Sequence, residues 1–367
     1  MRTMRLRSDR SLFTCRQADV ELEMSQSERS KAERDALLAG SRIKTMEDLG
    51  PVREFRNGTI RDIGLTTMAG YSYAAMVGVP KYQTSNVPLT ETTAWFMGLD
   101  GYYRHEALSY MGVGNFVVTV GAEGSYHSGT DHGGKIKDIS LKQSAAAILN
   151  FTKEIVGEYD DLDPETSIVK GASRGAMVGN GIIALADVYS MKVLYADLTA
   201  PCFPRPFNPL RDTLGLVNFM ANEPQTLVNL GFQTPLTLAR RYNASIDFHP
   251  ASFVHQIAIT GALFSGEAGE LARSIDPNID PQMHVSTFGN DLLSMHQDWE
   301  EIYRAYAGVR VTPLKGSHLA LADKQTHAYQ LARNLAFQRQ LSAGMMIDAH
   351  AISADAHEIV DAQMRVA

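Results

Sequence analysis

The strongest chemical signal in the sequence is the pentapeptide Gly171-Ala172-Ser173-Arg174-Gly175. It stands between a β-prone run, Thr166 to Lys170 (TSIVK), and a helical stretch from Gly175 to Tyr189. A Gly-x-Ser-x-Gly at a strand-to-helix turn sets the serine on a strained elbow, and the glycines are needed because neighbouring backbone passes close. The hydroxyl then projects above the sheet, beside the positive end of the following helix. A serine is a poor nucleophile at neutral pH, so it needs a base, and the base needs an orienting group. Asp291 follows the run His284 to Phe288 (HVSTF), and His318 follows Val309 to Leu314 (VRVTPL). Each of the three thus stands at the carboxyl end of a predicted strand, the edge of a parallel sheet where reacting groups collect.

Rival assignments stand beside these. Ser173 could cap the helix that follows it. Asp197, ending Met191 to Leu198 (MKVLYADL), competes as the acid, and Asp298 is a second rival inside a helical segment. His284 begins a strand and His327 falls within a helix, so neither is well placed as a base. GASRG also looks like the glycine-rich turn that cradles a pyrophosphate in short-chain dehydrogenases, with Asp197 as the ribose acid. Against that, Met177 occupies the place of the third glycine, the motif lies mid-chain, and no Tyr-x-x-x-Lys pair occurs. His127, Asp131 and His132 suggest a metal, but their glycine-rich loop imposes no ligand geometry. They read as a solvated loop bordering the pocket, and neither a metal nor any other cofactor is expected.

Positioning these groups requires a sheet. Thr93 to Met97 (TAWFM), Asn115 to Val120 (NFVVTV), TSIVK, MKVLYADL, HVSTF and VRVTPL read as strands. Ser140 to Glu158 reads as a helix, because Ala145, Ile148, Phe151 and Ile155 recur on one face. Arg56-Asn57-Gly58-Thr59 marks a hairpin, so antiparallel strands open the domain. Short apolar strands alternating with helices imply a mainly parallel sheet covered on both faces. Between Leu198 and His284 no strand is evident, and the helical patterning there reads as an inserted cap. The resulting division is a polar N-terminal arm or helix over 1–50, a core over 51–200 and 281–367, and a helical cap over 201–280.

From Thr93 to Gln338 the chain resembles the α/β-hydrolase family, on the elbow GASRG, Asp291 in FGND and His318 in KGSH. The resemblance implies an eight-stranded, mostly parallel α/β sheet with helices on both faces, a cap inserted before the acid strand, and no cofactor. It also implies an oxyanion hole made by the backbone N–H of Arg174 and one from Leu99-Asp100-Gly101-Tyr102, assigned to Tyr102. Asp-Gly stands there in place of the His-Gly common in the family. Gly171 and Gly175 are the elbow glycines. The function expected is a serine hydrolase cleaving a carboxylic ester through an acyl-enzyme, with Ser173 as nucleophile, His318 as base and Asp291 as its orienter. The same triad serves acyl transfer or amide and peptide hydrolysis. A dehydrogenase-like oxidoreductase and a non-catalytic binding protein are the readings from other classes.

Composition agrees with an enzyme. The 367 residues are 44% hydrophobic and 20% charged with a net charge of −7, which gives no basic footprint for nucleic acid. Two cysteines, Cys15 and Cys202, exclude a disulfide scaffold. No apolar run approaches the roughly 18 residues of a membrane span. Met1 to Cys15 is basic without an apolar stretch behind it, unlike a secretory signal. The expectation is a cytoplasmic enzyme acting on a small-molecule, partly hydrophobic ester, with oligomerisation left open.

Overall fold

The computed structural model describes residues 30–92, 100–121, 140–206, 265–291, 293–316, 318 and 324–366, with a few positions between 208 and 217. Its strands are β1 (Ile43–Asp48), β2 (Arg53–Phe55), β3 (Gly58–Thr67), β4 (Ser72–Pro80), β5 (Leu89–Thr92), β6 (Val117–Val120), β7 (Thr166–Ala172), β8 (Lys192–Thr199), β9 (Met283–Phe288) and β10 (Val309–Leu314). A helix over residues 30–41 is α1. It is followed by α2 (Asp100–Gly112), α3 (Leu141–Val156), α4 (Arg174–Leu185), α5 (Glu267–Arg273), α6 (His296–Tyr303), α7 (Lys324–Ser342) and α8 (Ala349–Val366).

The strands form one sheet in the order β1-β3-β4-β6-β5-β7-β8-β9-β10, with β2 paired to β3. Strands β5 to β10 run parallel, and the pairings of β1 to β4 are antiparallel. Among the described residues the sheet therefore has ten strands where eight are expected. Strands β3 to β10 supply the eight; β1 and β2 extend the antiparallel edge. Both are almost wholly exposed, so no alternation of apolar residues announces them. In the β2–β3 hairpin Phe55 faces Gly58, leaving Arg56-Asn57 as the loop. Gly58 has φ +144°, and a Cβ there would lie 2.0 Å from Val79 O.

Parallel strands β5 to β9 are buried over most of their length, while β10 at the edge of the sheet is only partly buried. One face packs Val118, Val120, Val169, Leu198 and Val285 against Phe151 and Ile155 of α3 and Ile182 of α4. The other packs Leu89, Val117, Ile168 and Tyr195 against Tyr110 of α2, Phe337 of α7 and Ile352 of α8. Each such large apolar side chain contributes about 1.5–3 kcal/mol on burial. Helix α3 begins where its sequence says it should, because Ser140 Oγ accepts the Gln143 N–H at 3.0 Å.

Strand order reverses at β5, which lies between β6 and β7. Such a reversal opens a crevice at the carboxyl edge of the sheet. Residues 93–97, read above as a strand, lie outside the described residues; the strand before α2 is Leu89–Thr92. Most of the expected cap, residues 218–264, also lies outside them. In the region read as a polar arm, 30–41 is helical and Ile43–Asp48 joins the sheet. Among the described residues no helix is long and apolar enough to cross a membrane.

Candidate active site

Strand β7 ends at Ala172 and α4 begins at Arg174, so Ser173 alone makes the turn. Its backbone sits at φ 52°, ψ −120°, a conformation that costs a non-glycine residue about 1–3 kcal/mol. Ser173 N–H donates to Thr199 O on β8 at 2.8 Å. A Cβ on Gly171 would lie 2.6 Å from Gly175 O and 2.8 Å from Ala176 Cα, so strand and helix cross too closely there for any side chain. Thr92 at the end of β5 donates its hydroxyl to Gly175 O at 2.6 Å, tying the switch-point strand to the elbow.

Ser173 makes no side-chain cap of α4. Its Oγ instead lies 2.8 Å from His318 Nε2, and His318 Nδ1 lies 2.6 Å from Asp291 Oδ2. Both partners are almost fully buried. Asp291 turns off β9, and its other oxygen, Oδ1, accepts the Leu293 N–H at 2.9 Å. The loops carrying acid and base are joined: Gly289 N–H donates to Leu314 O at 2.9 Å and Asn290 N–H to Gly316 O at 3.0 Å. Three residues distant in sequence are thus brought together by the carboxyl ends of β7, β9 and β10.

Burial disfavours a charged imidazole, but the Asp291 carboxylate and the Cys202 sulfur beside it outweigh that cost. The pKa of His318 is held well above the ordinary histidine value. Cys202, just past β8, is buried with its Sγ 3.8 Å from Ser173 Oγ and 3.8 Å from His318 Nε2. Sequence reasoning did not single it out, although its place after MKVLYADL puts it at the same edge.

The rival residues stand apart from this group. Asp197 binds Arg333 of α7 through two bonds of 2.8 and 2.9 Å, on the face away from α4. Asp298 pairs with Arg205 at 2.6 Å. His284 is buried within β9, and burial together with Arg333 and Arg310 pushes its pKa well below the ordinary value. His327 on α7 lies 3.3 Å from Glu106 Oε1.

The Arg174 side chain is buried and donates to Ser144 Oγ on α3 at 3.2 Å. Its backbone amide opens α4, where N–H groups point out of the helix end. Tyr102 lies in the first turn of α2. His127, Asp131 and His132 lie outside the described residues, and among those described no cluster of His, Cys, Asp or Glu could hold a metal ion.

A scan of protein-family models gives no match, and a sequence search of curated proteins gives none either. Solved structures do match. A peroxisomal α/β-hydrolase of Saccharomyces cerevisiae is 12% identical, with a TM-score of 0.51 over 84% of this chain and 91% of the yeast protein. DcsB, solved with a substrate analogue, is 12% identical, with a TM-score of 0.52 over 77% of this chain and 99% of its own. At that identity the likeness is one of fold.

Proposed function

We propose that this chain, built on the α/β-hydrolase fold, is a serine hydrolase that cleaves a carboxylic ester through an acyl-enzyme. The observation that carries the reading is the alignment of Ser173 Oγ, His318 and Asp291 through contacts of 2.8 and 2.6 Å. Ser173 Oγ attacks the acyl carbon while its proton passes to His318 Nε2. The imidazolium so formed is stabilised by the Asp291 carboxylate, which accepts from Nδ1. The negative oxygen of the tetrahedral intermediate is held by the amides of Arg174 and Tyr102. Collapse breaks the bond to the alcohol, which leaves with the proton from Nε2. Water then enters, gives a proton to the same nitrogen and attacks the acyl-enzyme, and the acid departs as Ser173 regains its proton. A backbone donor of this type contributes about 2.7–4 kcal/mol to lowering the barrier.

A series of nitrophenyl esters of increasing acyl length tests the reading, with wild type and Ser173→Ala side by side. Turnover of at least one ester by wild type and its loss in the variant is the expected result. Equal hydrolysis by both proteins, or none by wild type across the series, overturns it.

A further inference from the structure

Beneath the nucleophile lies a group of buried charges that the mechanism does not use. In the register of the sheet Thr119 of β6, Glu91 of β5, Lys170 of β7 and Asp197 of β8 are successive neighbours. In-register neighbours project to one face, here the face covered by α2 and α7. Lys170 Nζ lies 2.7 Å from Glu91 Oε1 and 3.0 Å from Glu106 Oε1 on α2, and 4.8 Å from the centre of the Tyr110 ring. Thr119 donates to the other Glu91 oxygen at 3.0 Å. Glu106 also faces His327 in the first turn of α7 at 3.3 Å. Lys170, Glu91 and Glu106 are each 5% exposed or less.

This is a costly way to fill a core. Burial of an ion pair seldom adds net stability, and apolar residues of similar volume do as well or better. Burial pushes Glu91 up to about 7, while Lys170 and His327 hold Glu106 well below the usual carboxylate range against the same burial. What the charges do supply is a polar tie from the middle of α2 to β5 and β7, beside the Asn57 Nδ2–Leu108 O bond of 3.0 Å and the Arg104–Asp62 pair at 3.6 Å and the apolar contacts of Ala107, Tyr110 and Met111.

That register bears on the site. Helix α2 ends beside the amino end of β6, where Asn115 N–H donates to Tyr110 O, so it runs from the carboxyl edge of the sheet toward the amino edge. Tyr102 stands one turn before Glu106, about 6 Å nearer that carboxyl edge. Ser173 stands three residues beyond Lys170, about 10 Å nearer the same edge. The Lys170–Glu106 contact therefore joins α2, one turn behind Tyr102, to the strand that leads into the nucleophile. The His327 contact ties both to the helix that follows the His318 loop.

We propose that Glu106 is a positioning residue, which fixes the oxyanion-binding turn of α2 relative to Ser173 and His318 by holding Lys170 and His327. The role rests on the hydrolase reading above. The test is Glu106→Gln, which keeps the shape and removes the charge, with active sites titrated by a fluorophosphonate so that turnover is counted per competent site. Expected are a kcat lower by about 10²-fold, the cost of roughly 1 Å of misplacement, and a nearly unchanged KM. The inhibition constant of an alkyl boronic acid, which binds as a tetrahedral anion, should rise by the same factor. Glu106→Asp should recover part of both losses.

If Glu106→Gln does not fold, the triple variant Glu91→Gln/Glu106→Gln/Lys170→Met removes the three charges together, so that neither the ammonium nor a carboxylate of the group is left without the other. The same fall in kcat is expected of it; if this variant too fails to fold, the array is a stability element and the proposal is overturned. A titrating wild type with Glu106→Gln turning over at the wild-type rate per site, or with only KM changed, overturns the positioning role alone. A wild type that does not titrate removes the hydrolase reading and this role with it.

Discussion

Asp291→Asn isolates what the acid does for the base. The side chain keeps its size, and its two ends are not equivalent: Oδ1 accepts the Leu293 N–H at 2.9 Å and Oδ2 faces His318 Nδ1 at 2.6 Å. Because only the amide oxygen can accept from Leu293, the new NH2 group must face Nδ1. The imidazole then satisfies that donor by presenting a bare Nδ1, which places its proton on Nε2. Nε2 is the atom 2.8 Å from Ser173 Oγ, and once protonated it cannot take the serine proton. The variant also loses the carboxylate that stabilises the imidazolium, and at 4% exposure no water replaces it. The same change in a well-studied Ser-His-Asp site costs about 10⁴ in kcat, or about 5.5 kcal/mol. Asp197 cannot substitute, because Arg333 holds both of its oxygens. Ester hydrolysis followed from acid to mildly alkaline pH should show this loss with the thermal midpoint nearly unchanged, since the Leu293 bond survives. A variant within about tenfold of wild type, some 1.4 kcal/mol, at every pH would refute the tautomer argument.

The raised pKa of His318 has a definite sign for activity. A protonated imidazole has no lone pair for the serine proton, so kcat/KM falls as pH drops through that pKa, and the acid limb of the wild-type profile should lie above 6.5. A limb at or below that value contradicts the electrostatic account of the site. Gly171→Ala forces a Cβ to 2.6 Å from the backbone of Gly175, which α4 cannot yield without shifting. Denaturant unfolding should show a loss of about 1–3 kcal/mol, and an unchanged midpoint would mean that the elbow is less tight than described. Ser173→Gly and Ser173→Ala should both be inactive but differ in stability, the glycine variant melting higher by the equivalent of about 1–3 kcal/mol because only it relieves φ 52°.

The elbow was legible in the sequence because its geometry admits so few residue types. Only glycine fits where the Gly171 Cβ would strike Gly175, and the apolar runs beside it could hardly be anything but buried strand and helix. Asp291 and His318 were legible for the same reason, each closing an apolar run at a predicted strand end. Strand β1 was not, since an exposed edge strand carries no alternating pattern, and β2 was announced only by the turn at Asn57-Gly58. Helix α8 buries Ile352, Ala356 and Val360 at helical spacing, a signal that lies beyond Gln338, where the family resemblance stops. The Glu91–Lys170–Glu106 group was illegible for another reason. Glu91 lies in the polar run LTET and Glu106 in the mixed helix α2, so only the register of the sheet and the packing of α2 show that they and Lys170 answer one another.

Whether His318 makes Ser173 nucleophilic is examined most directly by covalent labelling. Wild type, Ser173→Ala and His318→Gln would be treated with a fluorophosphonate, and the site of any adduct located by peptide mass. The expected result is one adduct, on the peptide bearing Ser173, formed rapidly in wild type, at a greatly reduced rate in His318→Gln and not at all in Ser173→Ala. An adduct on Cys202 or elsewhere, or equal labelling of all three proteins, would contradict it.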